Sequence, residues 1–413
     1  MKILFVTPRF PYPPHRGDTS VPYHRMRLLS QRHEITLLSF YENEDELSDI
    51  DGLRSLCRRI ETVRLPKWRS YSNMVLMGLL SRMPLQVLYY LSGKFRTRLN
   101  ELLKDEAFDV IHVFMLRIAP YFFDIPGPKV IDLIDSMQLN FQRRVQLARL
   151  PKRLLLQEEL RRVSSYERNI GQHFDQLVVV SQKDGAHIPS GRVNVIPLGV
   201  DTDIFSPEKD VPQCPVIIFS GNMFYSPNIQ AVTWFVESCF PRIQRVLPTV
   251  SLLIVGNKPP KTILDLGQKA GITVTGFVAS MPDALQRSSV SVTPMRSGSG
   301  MQFKILEAMA CGLPVVTTTL GLGDIKARPG EEIFVKDSPE EFADAVILLL
   351  STPELVQKIG EKARRFVVQN HSWESAAASV ERVYEDVLEN KRGRSFETVP
   401  RAASPLLIPR VIK

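Results

Sequence analysis

Cysteine is scarce in this chain: four in 413 residues, Cys57, Cys214, Cys239 and Cys311, with no C-x-x-C pair. Such wide spacing argues against a disulfide framework or a zinc cluster and points to a reducing compartment. A long uninterrupted apolar run is also lacking. The most apolar long stretch, Tyr71 to Leu91, is broken by Arg82 and Pro84 and makes a poor membrane span. The apolar run within Met1–Arg9 is too short for a secretory leader and reads as a first strand. A cytoplasmic protein, peripheral to a membrane at most, is expected. Zinc-finger spacing, an RNP-like aromatic strand and a basic leucine zipper are all missing, so no nucleic-acid partner is expected. So are G-x-G-x-x-G, a Walker loop, H-E-x-x-H and a Ser/His/Asp nucleophile motif, which disfavours a nicotinamide cofactor and gives no metal site.

What is present is globular. Hydrophobic residues make up 44% and charged residues 23% of the chain, enough for two or three domains with their own cores. There are 52 Lys plus Arg against 44 Asp plus Glu, a net of +8. The excess is confined to one half: residues 1–200 carry 29 basic against 21 acidic side chains, and residues 201–413 carry 23 of each. An anionic partner is therefore expected on the first half.

Short β-branched runs alternate with helical periods, as in a parallel sheet buried on both faces. Lys2–Val6, Glu34–Phe40, Val110–Phe114 and Val130–Ile134 are examples in the first half; Val216–Ser220, Ser251–Val255 and Ser289–Thr293 are examples in the second. The class is α/β. The polar, Pro-containing segment near 200–214 reads as a linker, after which the strand-first pattern restarts. Two doubly wound domains facing across a cleft are expected, with boundaries at 1–203 and 204–374, and a mobile basic tail over 391–413.

The strongest local signal runs from Pro294 to Val316. A strand ends at Thr293, a Ser/Gly loop follows, and a helix then runs to a stop at Gly312. Glycines allow close backbone approach, and free N–H groups at a helix start suit a diphosphate. Arg296 and Lys304 add positive charge there, while Glu307 could accept hydrogen bonds from vicinal ribose hydroxyls. A plain strand–turn–helix with a solvated Glu is the competing reading. The Pro-stiffened loop Phe10–Asp18 places His15, Arg16 and Gly17 at another carboxyl edge, and Ser220–Asn228 forms the corresponding turn of the second half. Asp135 and Ser136, at the end of Val130–Ile134, and His112 are candidates on the first sheet. A basic, aromatic-flanked apolar stretch from Lys67 to Arg98, and a second basic stretch from Arg143 to Arg162, could lie in a bilayer interface; solvated core helices are the alternative.

Taken in order, these segments resemble the retaining nucleotide-sugar glycosyltransferases of family 4, of GT-B fold. The pattern is similar to bacterial sugar transferases of exopolysaccharide and PEP-CTERM gene clusters. The resemblance rests on Pro11–Pro14 with Arg16–Asp18, Arg32–Ile35, Ser220–Met223 with Pro227–Asn228, Leu306–Val316 and Ser372–Glu374. It implies two Rossmann-like domains, the first binding acceptor and completed by a helix near 375–390, the second binding the nucleotide sugar. It implies that Glu307 holds the ribose and that Ser297, Gly298, Ser299, Gly300, Met301 and Gln302 hold diphosphate and sugar. Gly276, Phe277 and Val278 would contact the base. Gly17, Gly221 and Asn222 would line the donor site, and Asp135, Ser136 and His112 the acceptor side.

Four positions depart from the family pattern: Asn222 and Pro227 stand where it has Arg and Lys, Ser299 where it has a first Glu, and Phe114 where it has a His. Catalytic charge is therefore assigned to Arg296 and Lys304, with His15 or Arg16. The implied reaction is transfer from a nucleotide diphosphate sugar to a lipid-linked or polysaccharide acceptor at the cytoplasmic membrane face, with no cofactor or metal; the charge of the first half separately suggests an anionic membrane surface as partner. A non-catalytic nucleotide-sugar-binding module and a nucleotide-sugar epimerase are the alternatives.

Overall fold

The computed structural model describes residues 1–14, 17–189, 192–207, 215–297 and 301–394. His15, Arg16, Gly298, Ser299 and Gly300 lie outside the described residues, as do residues 208–214 of the linker and the tail from 395.

The chain divides into two units: Met1–Pro197 together with the chain from Ala376, and Leu198–Ser375. The first division falls a few residues before the expected 203/204. Unit one holds seven parallel strands in the order β3-β2-β1-β4-β5-β6-β7. They are β1 Lys2–Thr7, β2 Glu34–Tyr41, β3 Arg59–Arg64, β4 Val110–Phe114, β5 Lys129–Ile134, β6 Gln176–Val179 and β7 Val193–Val195. Unit two holds six parallel strands in the order β10-β9-β8-β11-β12-β13. They are β8 Val216–Ser220, β9 Ser251–Val255, β10 Ile272–Gly276, β11 Val290–Thr293, β12 Val315–Thr317 and β13 Phe334–Val335.

Both sheets are doubly wound. Strand order reverses between β1 and β4 in the first and between β8 and β11 in the second, and ligands of such sheets bind beyond the carboxyl ends at that point. The β-branched runs sit where they do because these central strands are covered on both faces: Ile3 to Val6 and Ile217 to Phe219 are fully buried. Among the described residues, no helix is long and apolar enough to cross a membrane.

The last helix, Trp373–Arg394, joins the first unit through side chains far apart in sequence. Tyr384 is fully buried, its hydroxyl 2.7 Å from His112 Nδ1. Glu381 receives Arg32 at 2.9 Å and His33 at 2.8 Å. His112 is also stacked on Phe5, with centroids 4.4 Å apart, and lies below the buried Arg25–Asp132 ion pair. Burial, with Arg25 nearby, holds its pKa well below the usual histidine range, so the ring is neutral. Tyr384→Phe should therefore destabilise unit one by about 1–2 kcal/mol through the orphaned imidazole nitrogen, read as a lowered denaturation midpoint. An unchanged midpoint would show that this bond does not fasten the helix.

Candidate functional site

The site in unit two grows from three carboxyl ends. Strands β8, β9 and β10 are each closed by a glycine: Gly221 and Gly256 just beyond the first two, Gly276 as the last residue of β10. Gly221 N–H donates to Val255 O at 2.9 Å, and Gly256 N–H donates to Gly276 O at 3.0 Å. A Cβ on Gly256 would stand 1.9 Å from Gly221 O, so the backbones of adjacent loops touch directly there. Gly276 adopts φ +70°, which favours glycine.

Lys304 reaches this ridge from the helix Phe303–Ala310, which follows β11 across the switch point. The helix forms because Ile305, Leu306, Ala308 and Met309 bury one side, and it stops at Gly312 (φ +71°), where Gly312 and Leu313 N–H donate to Met309 and Ala308 carbonyls. Lys304 itself is 9% exposed. Its Nζ donates to Asn228 Oδ1 at 2.6 Å and lies 4.9 Å from the Phe219 ring centroid. The same Nζ is 2.8 Å from where a Cβ would sit on Gly221. Asn228 in turn donates from Nδ2 to Asn222 O at 2.9 Å, tying the β8 turn to the cation. Burial pulls the Lys304 pKa down to about 7, with Glu307 opposing the shift.

Glu307 is one turn further along the helix and half-buried, and its carboxylate accepts no hydrogen bond from the described residues. Burial pushes its pKa up to about 7, against the pull of Lys304. A carboxylate so placed has both oxygens available to a ligand diol. Gln302, the residue before the helix, and Met301 are half-buried.

Exposed rings at this edge include Phe277, 69% exposed, and Phe224, 65% exposed, the latter with its centroid 5.5 Å from Lys258 Nζ. Val278 instead packs partly into the apolar core. Asn222 is exposed; its Oδ1 accepts from Phe224 N–H at 2.9 Å, so it shapes the turn.

Other assignments change. Arg296 is exposed, donates to Asp337 O at 3.1 Å and stacks 5.0 Å over the Trp234 ring. Ser297 donates to Gln230 Oε1 at 2.7 Å. Neither contact aims at Gly221, so the buried cation at the ridge is Lys304. His112, expected on the acceptor side, is a core residue with no face open to a ligand: a strand histidine at a sheet centre is covered when a helix from the chain end packs on it. Ser136 is buried as well, its hydroxyl donating to Glu167 at 2.9 Å while its N–H donates to Asp184 at 2.9 Å. It caps the helix Met137–Leu147 and holds the end of β5. Asp135 stays half-buried at that end, its pKa raised to about 6 by burial and by Asp184, with Arg117 and Arg143 opposing. Gly17 opens the helix Gly17–Leu29 after β1.

Gly256, and the role of Asn228 beside Lys304, escape a reading of the sequence. Gly256 carries a visible signal, a glycine at the end of each of three consecutive strands. Asn228 is read only as part of the turn after β8, because Ser-Pro-Asn is ordinary turn chemistry and does not mark it as the partner of Lys304.

Against known proteins, residues 214–352 match the family model described as "Glycosyl transferases group 1". The "Uncharacterized 44.6 kDa protein in cps region" of Klebsiella pneumoniae is 23% identical over 92% of this chain and 98% of its own length. An "MMP alpha-(1->4)-mannosyltransferase" of Mycolicibacterium hassiacum is 24% identical over 54% of this chain, which spans 56% of that relative. Among solved structures, Anabaena HepE in complex with UDP and glucose superposes with a TM-score of 0.64 at 14% identity, covering 93% of this chain and 99% of that one. The fold is GT-B, with a parallel-sheet Rossmann-like domain in each unit.

Proposed function

We propose that this chain, a glycosyltransferase, moves a hexosyl group from a nucleotide diphosphate sugar to a lipid-linked or polysaccharide acceptor in capsule or exopolysaccharide synthesis. The observation that carries the reading is the buried Lys304 ammonium set against the Gly221 turn, with the free Glu307 carboxylate one turn away. A diphosphate seated on the glycine ridge meets Lys304, its ribose diol meets Glu307, and its base meets Phe277 or Phe224. The bond from the anomeric carbon to phosphate breaks as charge builds on the leaving diphosphate, and a fixed ammonium in a dry site stabilises that charge. The acceptor oxygen attacks the same face and its proton passes to the departing phosphate oxygen, so configuration is retained. The leaving-group charge is given to Lys304. The Klebsiella relative of unassigned activity, encoded in a cps region and matching nearly end to end, supports the capsule setting.

The test is release of nucleoside diphosphate by purified protein across a panel of donors, with a membrane extract supplying acceptor. Turnover with a donor supports the reading; binding without turnover would make the chain a nucleotide-sugar-binding module; interconversion of the donor without acceptor would make it an epimerase.

Proton linkage gives a sharper check. At pH 8 a lysine with a pKa near 7 is mostly neutral, and an incoming diphosphate favours the ammonium, so binding takes up close to ~1 proton. Titration calorimetry of UDP or GDP at pH 8 should show a buffer-dependent enthalpy with the sign of proton uptake. That uptake should be lost in Lys304→Met, and at pH 5.5, where Lys304 is already charged, Lys304 should contribute none of it. Buffer-independent heats at pH 8 would remove Lys304 from the diphosphate site.

A further inference from the structure

Two segments of unit one carry cations and no acidic side chain. Residues 66–100 hold six Lys or Arg with no Asp or Glu, and residues 136–157 hold five with none. The structure brings them together. In the helix Lys67–Gly78 and the turn after it, Val75, Leu76, Leu79 and Leu80 project into solvent, the last two 88% and 92% exposed. At the start of the helix Lys152–Ile170, Leu150, Leu154 and Leu155 are exposed as well, the last at 74%. Arg162 Nη2 donates to Gly78 O at 2.8 Å, and Glu159 Oε1 accepts from Leu85 N–H at 2.8 Å. Leu155 lies one turn before Glu159, so the two apolar ends share one neighbourhood.

A folded chain rarely leaves this much aliphatic surface exposed in one neighbourhood without a partner. Charge identifies which partner. Arg82, Arg149, Lys152 and Arg153 flank these leucines, are exposed, and form no ion pair among the described residues. Glu158, just beyond the acid-free stretch, is neutralised by Arg161 and Arg162.

We propose that this face docks on a bilayer rich in anionic phospholipid, its leucines entering the interface and its free cations meeting lipid phosphates. The face also adjoins the carboxyl edge of the first sheet. Lys67, at the start of its helix, lies 3.5 Å from Glu42, the residue after β2; Glu42 accepts from Tyr89 at 3.0 Å, and Tyr89 packs on Tyr71. Docking itself is independent of the reaction. Its use, bringing that edge down to a lipid-linked acceptor at the membrane surface, rests on the function proposed above.

The experiment is co-sedimentation of the full chain with phosphatidylglycerol-containing vesicles and with pure phosphatidylcholine vesicles. Binding is expected to the anionic vesicles only and to fall as salt rises. The double variant Leu79→Asp, Leu80→Asp should lose at least ~10-fold in partitioning, and each of Arg82→Gln, Lys152→Gln and Arg153→Gln about fivefold. Both leucines are so exposed that the double variant should keep the wild-type unfolding midpoint and its nucleoside diphosphate binding. Binding to neither vesicle, equal binding to both, or undiminished binding by the leucine variant would overturn docking. Self-association abolished by the same two substitutions, without vesicle binding, would assign the face to a second copy and overturn it as well. Vesicle binding in a protein that binds no nucleotide would sink the proposed reaction while leaving docking intact.

Discussion

Lys304→Met is expected to lower kcat/KM for donor turnover by about 10²–10³-fold, or roughly 2.7–4 kcal/mol, the range for removing one fixed donor at a developing negative charge. The size follows from the setting. Lys304 is buried beside Gly221 with Asn228 as its partner, so its charge is neither screened by water nor free to swing away. Methionine fills much the same space and removes the charge together with the hydrogen bond to Asn228 Oδ1. The folded protein should not suffer. Lys304 is depressed from 10.5 to about 7, so between those pH values the unfolded chain binds more protons than the native one, and wild-type stability rises with pH across that window. The variant loses that slope and should be as stable as wild type or more so at pH 7, because a costly buried ammonium is gone. Glu307 works in the opposite direction, its pKa raised from 4.5 to about 7, so its contribution falls as pH rises through that interval. Activity lost with stability retained separates a group acting on the leaving diphosphate from one holding the fold. A variant within threefold of wild-type kcat/KM would return the role to another cation.

How much of this was legible in the sequence depends on where each interaction is made. Strands such as Val110–Phe114 and Val216–Ser220 were readable because burial on both faces leaves a continuous β-branched signature. Strand β3 was not, since Arg59, Glu61 and Arg64 interrupt it; it is an edge strand whose charges pair outward, Arg59 and Arg98 both meeting Glu61. The strand–loop–helix around Lys304 and Glu307 was legible because local chain order creates it. That Lys304 rather than Arg296 sits at the ridge was not, because the decision rests on Asn228 and Gly221, 76 and 83 positions away (304 − 228 and 304 − 221). His112 failed for the same reason at longer range: the hydroxyl that claims its ring lies 272 residues downstream.

Gly256→Ala should be among the most damaging single methyls in unit two. Its Cβ would fall 1.9 Å from Gly221 O and 3.0 Å from Gly221 C, and both obstacles are backbone, with no side-chain end to turn aside. Either β9 or the β8 turn must move. Overpacking of this kind costs about 1–3 kcal/mol of stability. The larger consequence is positional, because the atom pushed belongs to the residue against which Lys304 Nζ rests, 2.8 Å from its would-be Cβ. A displacement near 1 Å at a positioning group can cost about 10²-fold in rate, so kcat/KM should drop at least that far even in the fraction that remains folded. Gly93→Ala is the matched control: a Cβ there meets nothing within 4 Å, and alanine is the better residue at the start of the helix Gly93–Asp105. It should leave both turnover and the unfolding midpoint unchanged or slightly improved. If Gly256→Ala lowers stability while nucleoside diphosphate affinity and turnover of the folded protein stay at wild-type values, the three-glycine ridge belongs to the fold and the diphosphate sits elsewhere. If affinity and turnover fall together, well beyond the stability loss, the ridge is where the donor rests.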